Sequence, residues 1–324
     1  MEMMRAWVAK PGELVLEQVP KPIPASDEVL IKIDSVCICN GSDPEISSGH
    51  EAFALPMLFG HEASGHIVQA GADVAGFSVG QRVCWWCTMG GFAEWAAVSP
   101  SKIAMFVPPP NVTREQAPVL ELIIASARAL MPFTDCCQGK TLAILGLGPS
   151  GLNATQYAKA LGFGAVYGWD LYPARRALAL TLGADAVYDP AAADFGEQIK
   201  SMPEADIALD MMGDDLLGDE TFITLTRKVK PHGTIVSYGH PAHNRVFKPY
   251  VFQNRCLSLI SPENDYAVIR EKGKTLMGFV ADGRVKVQPL ITRVDVFENL
   301  GAVYAQWLER LDSDIKMIFL VEHK

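Results

Sequence analysis

The sequence predicts an α/β protein in two parts, a strand-rich N-terminal region followed by a doubly wound parallel sheet. Three observations lead there. The first third is dense in β-branched residues, Gly and Pro, and its short alternating runs, such as EVLIKIDSV and RVCWWC, lie between the turn signals KPG, AGA and SVG. From residue 141 onward, apolar strands and helical segments alternate, which is the pattern of βαβ units. The chain also has 324 residues, more than one domain usually holds.

The elements follow in order. TREQAPVLELIIASARAL reads as a helix with Thr113 as its N-cap and Glu115 in its first turn. TLAILGLG is a buried strand, LNATQYAKALG a helix ending at Gly162, AVYGWD the next strand and PARRALALTLG the next helix. DIALDMM, GTIVSYG and CLSLISP complete the series of strands. YAVIREKGKTLMGFVADG is helix-like, and a mixed tail ends in IKMIFLVEH.

Composition narrows the function. The formal net charge is -9 and no dense Lys/Arg run occurs, so a general nucleic-acid backbone binder is excluded and a small-molecule partner is expected. No run of about 18 apolar residues is present, so no membrane-spanning helix is expected. The N-terminus lacks the pattern of a signal peptide. Seven cysteines, with close pairs at Cys37/Cys39 and Cys84/Cys87, favour reduced thiols in a cytoplasm over a disulfide scaffold.

Gly146, Gly148 and Gly151 form G-x-G-x-x-G between a strand and a helix, and Asp170 ends the next strand 19 residues after Gly151. Gly146 permits a tight turn, Gly148 lets backbone approach a pyrophosphate, and Gly151 lets the helix pack on the strand. With Pro149 and Ser150, these residues open a helix whose free N–H groups and dipole favour phosphate. Asp170 accepts hydrogen bonds from ribose hydroxyls and repels a 2′-phosphate, so NAD is expected over NADP. The neighbouring Arg175 and Arg176 temper that preference.

The region before this unit is rich in metal donors. Cys37, Cys39, His50, Glu51, His61, Glu62, His66, Cys84, Cys87 and Glu121 are all candidates, and the tripeptide Gly-His-Glu occurs twice, at 49–51 and 60–62. Spacing alone does not choose among them.

CICNGSD, LPMLFGHEASGHIVQAG, VGQRV, GGFAEW, LGLGPSGL and GRVKVQPLITRVDVFENLGAVYAQ stand in the order seen in zinc-dependent medium-chain alcohol and polyol dehydrogenases, and the chain resembles that family over essentially its whole length. The resemblance implies a GroES-like β-barrel catalytic domain over 1–119, a Rossmann NAD-binding domain over 120–262 and a segment, 263–324, returning to the catalytic domain. It implies Cys39 and His61 as ligands of one catalytic zinc, with Glu62 a direct or exchangeable ligand. VLELIIASARAL is similar to the stretch that supplies the remaining donor in the sorbitol dehydrogenase-like branch, so Glu121 matches that ligand. Gly49-His50-Glu51 falls in a variable loop. Cys84 and Cys87 lack a second Cys pair, so no structural zinc is expected.

The implied activity is reversible hydride transfer between an alcohol and NAD, with the alcohol oxygen polarised by zinc as a Lewis acid. Ser42 would pass on the proton, Asp43 would orient His61, and Arg293 would reach a cofactor phosphate. A homodimer or homotetramer is implied. Two departures from the family pattern stand out: Asn40 is one residue more than the usual Cys-Gly-Ser-Asp, and Glu45 replaces a relay His. Trp85 and Trp86 are candidates for the substrate pocket. The alternatives are a zinc-free NADPH-dependent quinone or enoyl reductase and a catalytically inactive cofactor-binding sensor.

Overall fold

The computed structural model describes residues 2–50, 53–86, 88–213, 218–240, 245–309 and 314–323. Glu51 and Cys87 therefore lie outside the described residues. Along the chain the strands are β1 (Met3–Lys10), β2 (Glu13–Pro20), β3 (Val29–Cys37), β4 (Met57–Leu58), β5 (Glu62–Ala70), β6 (Arg82–Trp86), β7 (Trp95–Val98), β8 (Ala104–Phe106), β9 (Thr141–Leu145), β10 (Ala165–Trp169), β11 (Ala186–Tyr188), β12 (Ala205–Asp210), β13 (Val229–Ser237), β14 (Ser258–Ile260), β15 (Ile291–Val296) and β16 (Lys316–Leu320). The helices are α1 (Ser42–Ser47), α2 (Leu120–Ala127), α3 (Pro149–Leu161), α4 (Pro173–Thr181), α5 (Phe195–Ser201), α6 (Gly218–Arg227), α7 (Pro249–Arg255), α8 (Tyr266–Ala281) and α9 (Leu300–Leu308).

The chain divides into two compact units. One comprises Met1–Ala125, Asp265–Asp282 and Lys286–Lys324; the other comprises Ser126–Asn264 and Gly283–Val285.

In the first unit, a sheet of order β15-β16-β3-β5-β6-β8, with β7 also pairing β3, accompanies a smaller sheet of order β2-β1-β4. The alternation of each strand sorts its side chains onto two faces. Ile31, Ala63, Val83, Trp85, Met317 and Phe319 go to one apolar core. Opposite faces hold different chemistry. Cys37 pairs with Glu62 on one side and with Ile318 on the other, and Ser64 pairs with Cys84. Cross-strand partners share a face, so Cys37, Glu62 and Ile318 stand level with one another, away from that core.

The same alternation separates the two tryptophans. Trp85 is fully buried in the core. Trp86 points the other way and packs its ring 5.5 Å from that of Tyr266, at the start of α8.

The helix expected to begin at Thr113 begins later. A single turn of 3-10 helix, Ala117–Val119, leads into α2 at Leu120. Pro118 explains the delay: it has no N–H to donate and disfavours helical geometry in the residue before it. Thr113 N donates to Gln116 Oε1 at 3.1 Å instead of the threonine capping a helix.

In the second unit, the sheet has order β11-β10-β9-β12-β13-β14 and every pairing is parallel. The chain winds outward from β9 through β10 to β11, then returns to lay β12 on the other side of β9. That reversal opens a crevice at the carboxyl ends of β9 and β12, the place where such sheets bind ligands. Leu145, Trp169 and Asp210 mark this edge. Beneath it lies a core containing Ala143, Leu145, Trp169, Phe222 and Ile235.

Candidate active site

The metal-capable cluster is built where β3, β5 and β16 end. Cys39 follows β3 by two residues, His61 immediately precedes β5, and Glu62 is the first residue of β5. Their ligand atoms all lie within 4.8 Å of one another. Among the described residues, no other group of three or more His, Cys, Asp or Glu side chains converges in this way.

Several buried polar atoms at this point have no hydrogen-bond partner: Glu62 Oε2, Asp43 Oδ1 and Ser42 Oγ. Burying such atoms unpaired is costly. A cation offers Glu62 the missing partner, and sulfur, imidazole and carboxylate donors together suit zinc. The residues present therefore fit the ion.

Helix α1 supports the cluster. Asp43 is fully buried; its Oδ2 accepts the Cys39 N–H at 2.8 Å, and its Oδ1 lies 4.0 Å from His61 Nδ1. With Asn40 in the intervening turn, Asp43 still holds the backbone of Cys39 and lies close to His61. Burial and Glu62 push the Cys39 thiol up, while Lys316 and the neighbouring Ser42 Oγ favour the thiolate. Glu45 is half-buried, and its backbone oxygen accepts from Ser48 Oγ and from His50 N.

Glu121, near the start of α2, is buried and faces His61 electrostatically, but it stands outside the set that converges within 4.8 Å. His50 is exposed, in a T-shaped contact with the ring of Phe53. Cys84 is buried, with its thiol toward Phe106 O.

Sequence reasoning missed one residue. Lys316, the first residue of β16, is completely buried. Its Nζ donates to Glu62 Oε1 and to Ile38 O, each at 2.6 Å. Burial alone would lower its pKa, but the anionic forms of Cys37, Glu62 and Cys39 around it raise it instead. The only signal in the sequence was a charge directly before the apolar run MIFL.

In the metal-free protein, burial pushes the carboxyls of both Asp43 and Glu121 up to about 8. An unfolded chain releases these protons near pH 4. Between those values the folded chain binds more protons than the unfolded one, so its stability falls as pH rises. The urea midpoint of zinc-free protein should drop steadily from about pH 5 to about pH 8, and zinc should abolish that slope by displacing the protons. A midpoint that climbs over this range without zinc would contradict the assignment.

The second unit carries the glycine-rich turn. Gly146 has φ +92°, and a Cβ there would sit 3.1 Å from the Met211 carbonyl carbon. Gly148 is extended and caps α3, with Pro149 in the first turn. A Cβ on Gly151 would lie 1.9 Å from Gly146 O, so the first turn of α3 packs directly on the loop. Asp170 is nearly buried; Oδ2 accepts from Leu147 N and Oδ1 from Tyr172 N, both at 2.8 Å. These bonds aim the carboxylate at the turn. Of the two arginines, Arg175 approaches Asp170 at 3.9 Å and stacks on Tyr172, whereas Arg176 is held by Asp189 at 3.0 Å. Arg293 lies on β15 in the first unit, with its guanidinium on Asp295 at 3.0 Å.

A parallel sheet of this winding with a glycine-rich turn, together with a converging Cys-His-Glu set on a separate β-rich unit, defines a zinc-binding, dinucleotide-dependent oxidoreductase. Comparison with known proteins agrees. Residues 25–109 match the alcohol dehydrogenase GroES-like domain, and residues 149–277 match the zinc-binding dehydrogenase family. An alcohol dehydrogenase from Rhizobium meliloti is 30 % identical over 62 % of this chain and 67 % of its own. L-galactonate-5-dehydrogenase from Escherichia coli is 28 % identical over 91 % of this chain and 92 % of its own. The crystal structure of an alcohol dehydrogenase from E. coli CFT073, complexed with NADH, superposes with a TM-score of 0.85 at 21 % identity, covering 99 % of this chain and all of the other. The chain belongs to the zinc-dependent medium-chain alcohol and polyol dehydrogenases.

Proposed function

We propose that this protein reversibly oxidises a polyol, sugar derivative or secondary alcohol with NAD, at a single zinc held by Cys39, His61 and Glu62 with Glu121 as the further acid. The observation that carries the proposal is the convergence of those three donors beside unpartnered buried oxygens. When bound, zinc polarises the alcohol oxygen as a Lewis acid, and nicotinamide exchanges the hydride. Ser42, whose buried Oγ lies beside the Cys39 thiol, takes the alcohol proton in this reading. Asp43, whose Oδ1 lies 4.0 Å from His61 Nδ1, would orient that ring.

The choice of NAD rests on Asp170, whose carboxylate is held in place by two backbone N–H groups and would repel a 2′-phosphate. Asp170→Ala should shift the ratio of kcat/KM values for NAD and NADP toward NADP by about tenfold or more. An unchanged ratio would remove Asp170 from cofactor selection. Gly146, Gly148, Pro149, Ser150, Gly151 and Arg175 complete the cofactor site in this proposal.

The substrate class draws support from relatives that are sugar-acid and alcohol dehydrogenases. Assembly as a homodimer or homotetramer draws support from β14, an edge strand of its sheet, where Leu259 is exposed. We place the protein in the cytoplasm, and no helix among the described residues is long and apolar enough to cross a membrane. A panel of polyols and secondary alcohols, assayed for NAD reduction, tests the activity. NADPH-dependent quinone reduction by zinc-free protein would replace it with the reductase alternative, and NAD binding without turnover would replace it with the sensor.

A further inference from the structure

We propose that Lys316 is a positioning residue that restrains Glu62, so that this carboxylate does not saturate the metal. The inference rests on the zinc reading above and extends it to a residue at the far end of the chain.

Lys316 reaches the cluster from β16, across 254 residues of sequence. It is 0 % exposed and sits on a strand whose next residue, Met317, belongs to the apolar core. Such a lysine is rarely buried unless its charge is matched. Here the match is specific: one donor goes to Glu62 Oε1 and another to Ile38 O, each at 2.6 Å. Ile38 adjoins Cys39, so the ammonium bridges the backbone beside one ligand and the side chain of another. Glu62 Oε1 is thereby engaged, while Oε2 is buried and unpartnered. One carboxylate oxygen is thus held by the lysine, while the other has no hydrogen-bond partner.

The inference is sharp because of the sign of its prediction. Loss of an ordinary outer partner weakens metal binding by about 10- to 100-fold, because the ligand it oriented becomes loose. Lys316 is a cation beside a site for a dication. Removing it releases a carboxylate oxygen of Glu62 to the metal. Lys316→Met should therefore retain zinc more tightly, with release to a chelator slowed about tenfold, while kcat falls. Lys316→Arg, which keeps the charge and the donors, should release zinc at close to the wild-type rate.

The test is stopped-flow release of zinc to a chromogenic chelator, run on the full chain without substrate. Slower release from Lys316→Met supports the proposal, and equal or faster release overturns it. If that variant does not fold, Glu62→Gln is compared with the Glu62→Gln/Lys316→Met double variant. Equal release rates then support action through Glu62, and unequal rates contradict it. Wild-type protein that binds no zinc would defeat the functional reading itself, an outcome separate from either result on Lys316.

Discussion

Replacing His61 with Ala should strip the zinc and reduce kcat/KM by about 10³-fold or more, which corresponds to losing several kcal/mol of Lewis-acid stabilisation. His50→Ala should leave both zinc content and turnover unchanged, with stability within about 0.5 kcal/mol of the parent. The contrast follows from position. His61 borders β5, converges with Cys39 and Glu62, and has Asp43 4.0 Å from its Nδ1. His50 is exposed, and its ring makes a T-shaped contact with Phe53 at 6.5 Å. Both belong to a Gly-His-Glu tripeptide, so the pair of variants separates the effect of place from that of motif. Metal analysis of the purified variants alongside steady-state kinetics gives the result. Equal losses in the two would sink the site assignment.

The second large effect lies in the other unit. Gly151→Ala should weaken NAD binding by about 100-fold and cost about 1–3 kcal/mol of stability, through overpacking. The added Cβ would meet Gly146 O at 1.9 Å, and Gly146 cannot yield easily because it is held at φ +92° against the backbone of Met211. Relief requires the loop to open or α3 to move off the strand, and either change spoils the phosphate cradle. Gly148→Ala makes a useful comparison. Its Cβ would meet no atom within 4 Å and its φ is -63°, so the fold should tolerate it. Any loss of NAD affinity there comes from crowding the cofactor. Neither variant should change zinc content, because Cys39, His61, Glu62 and Glu121 all belong to the other unit. Calorimetric titration with NAD and denaturant unfolding check both points. Wild-type affinity in Gly151→Ala would refute the role of this turn.

The parallel sheet was legible because strand, glycine turn, helix and acid follow one another within thirty residues or so and obey local rules. Gly162 illustrates this: it was expected to end α3, and it does so in the left-handed conformation at φ +97°. The start of α2 was misread because Pro118 outweighed the capping potential of Thr113. Within the site, Cys39, His61 and Glu62 were legible because they share one stretch and a family pattern. Asp43 was also within reach of that pattern. Lys316 was not legible. Its partner is 254 residues away, and the pairing of β3 with both β16 and β5 brings the two together. A single charge before a strand ordinarily reads as a solvated end. The two tryptophans could not be separated by composition either; the alternation of β6 sent Trp85 into the core and Trp86 to Tyr266.

The central claim is that one zinc, held by the Cys39–His61–Glu62 cluster, supports alcohol oxidation. Titrating zinc into metal-free protein while following NAD reduction tests it most directly. Turnover should be absent at the start, rise linearly and saturate at about one zinc per chain. Full turnover before any zinc is added, or saturation only at about two, would contradict the account.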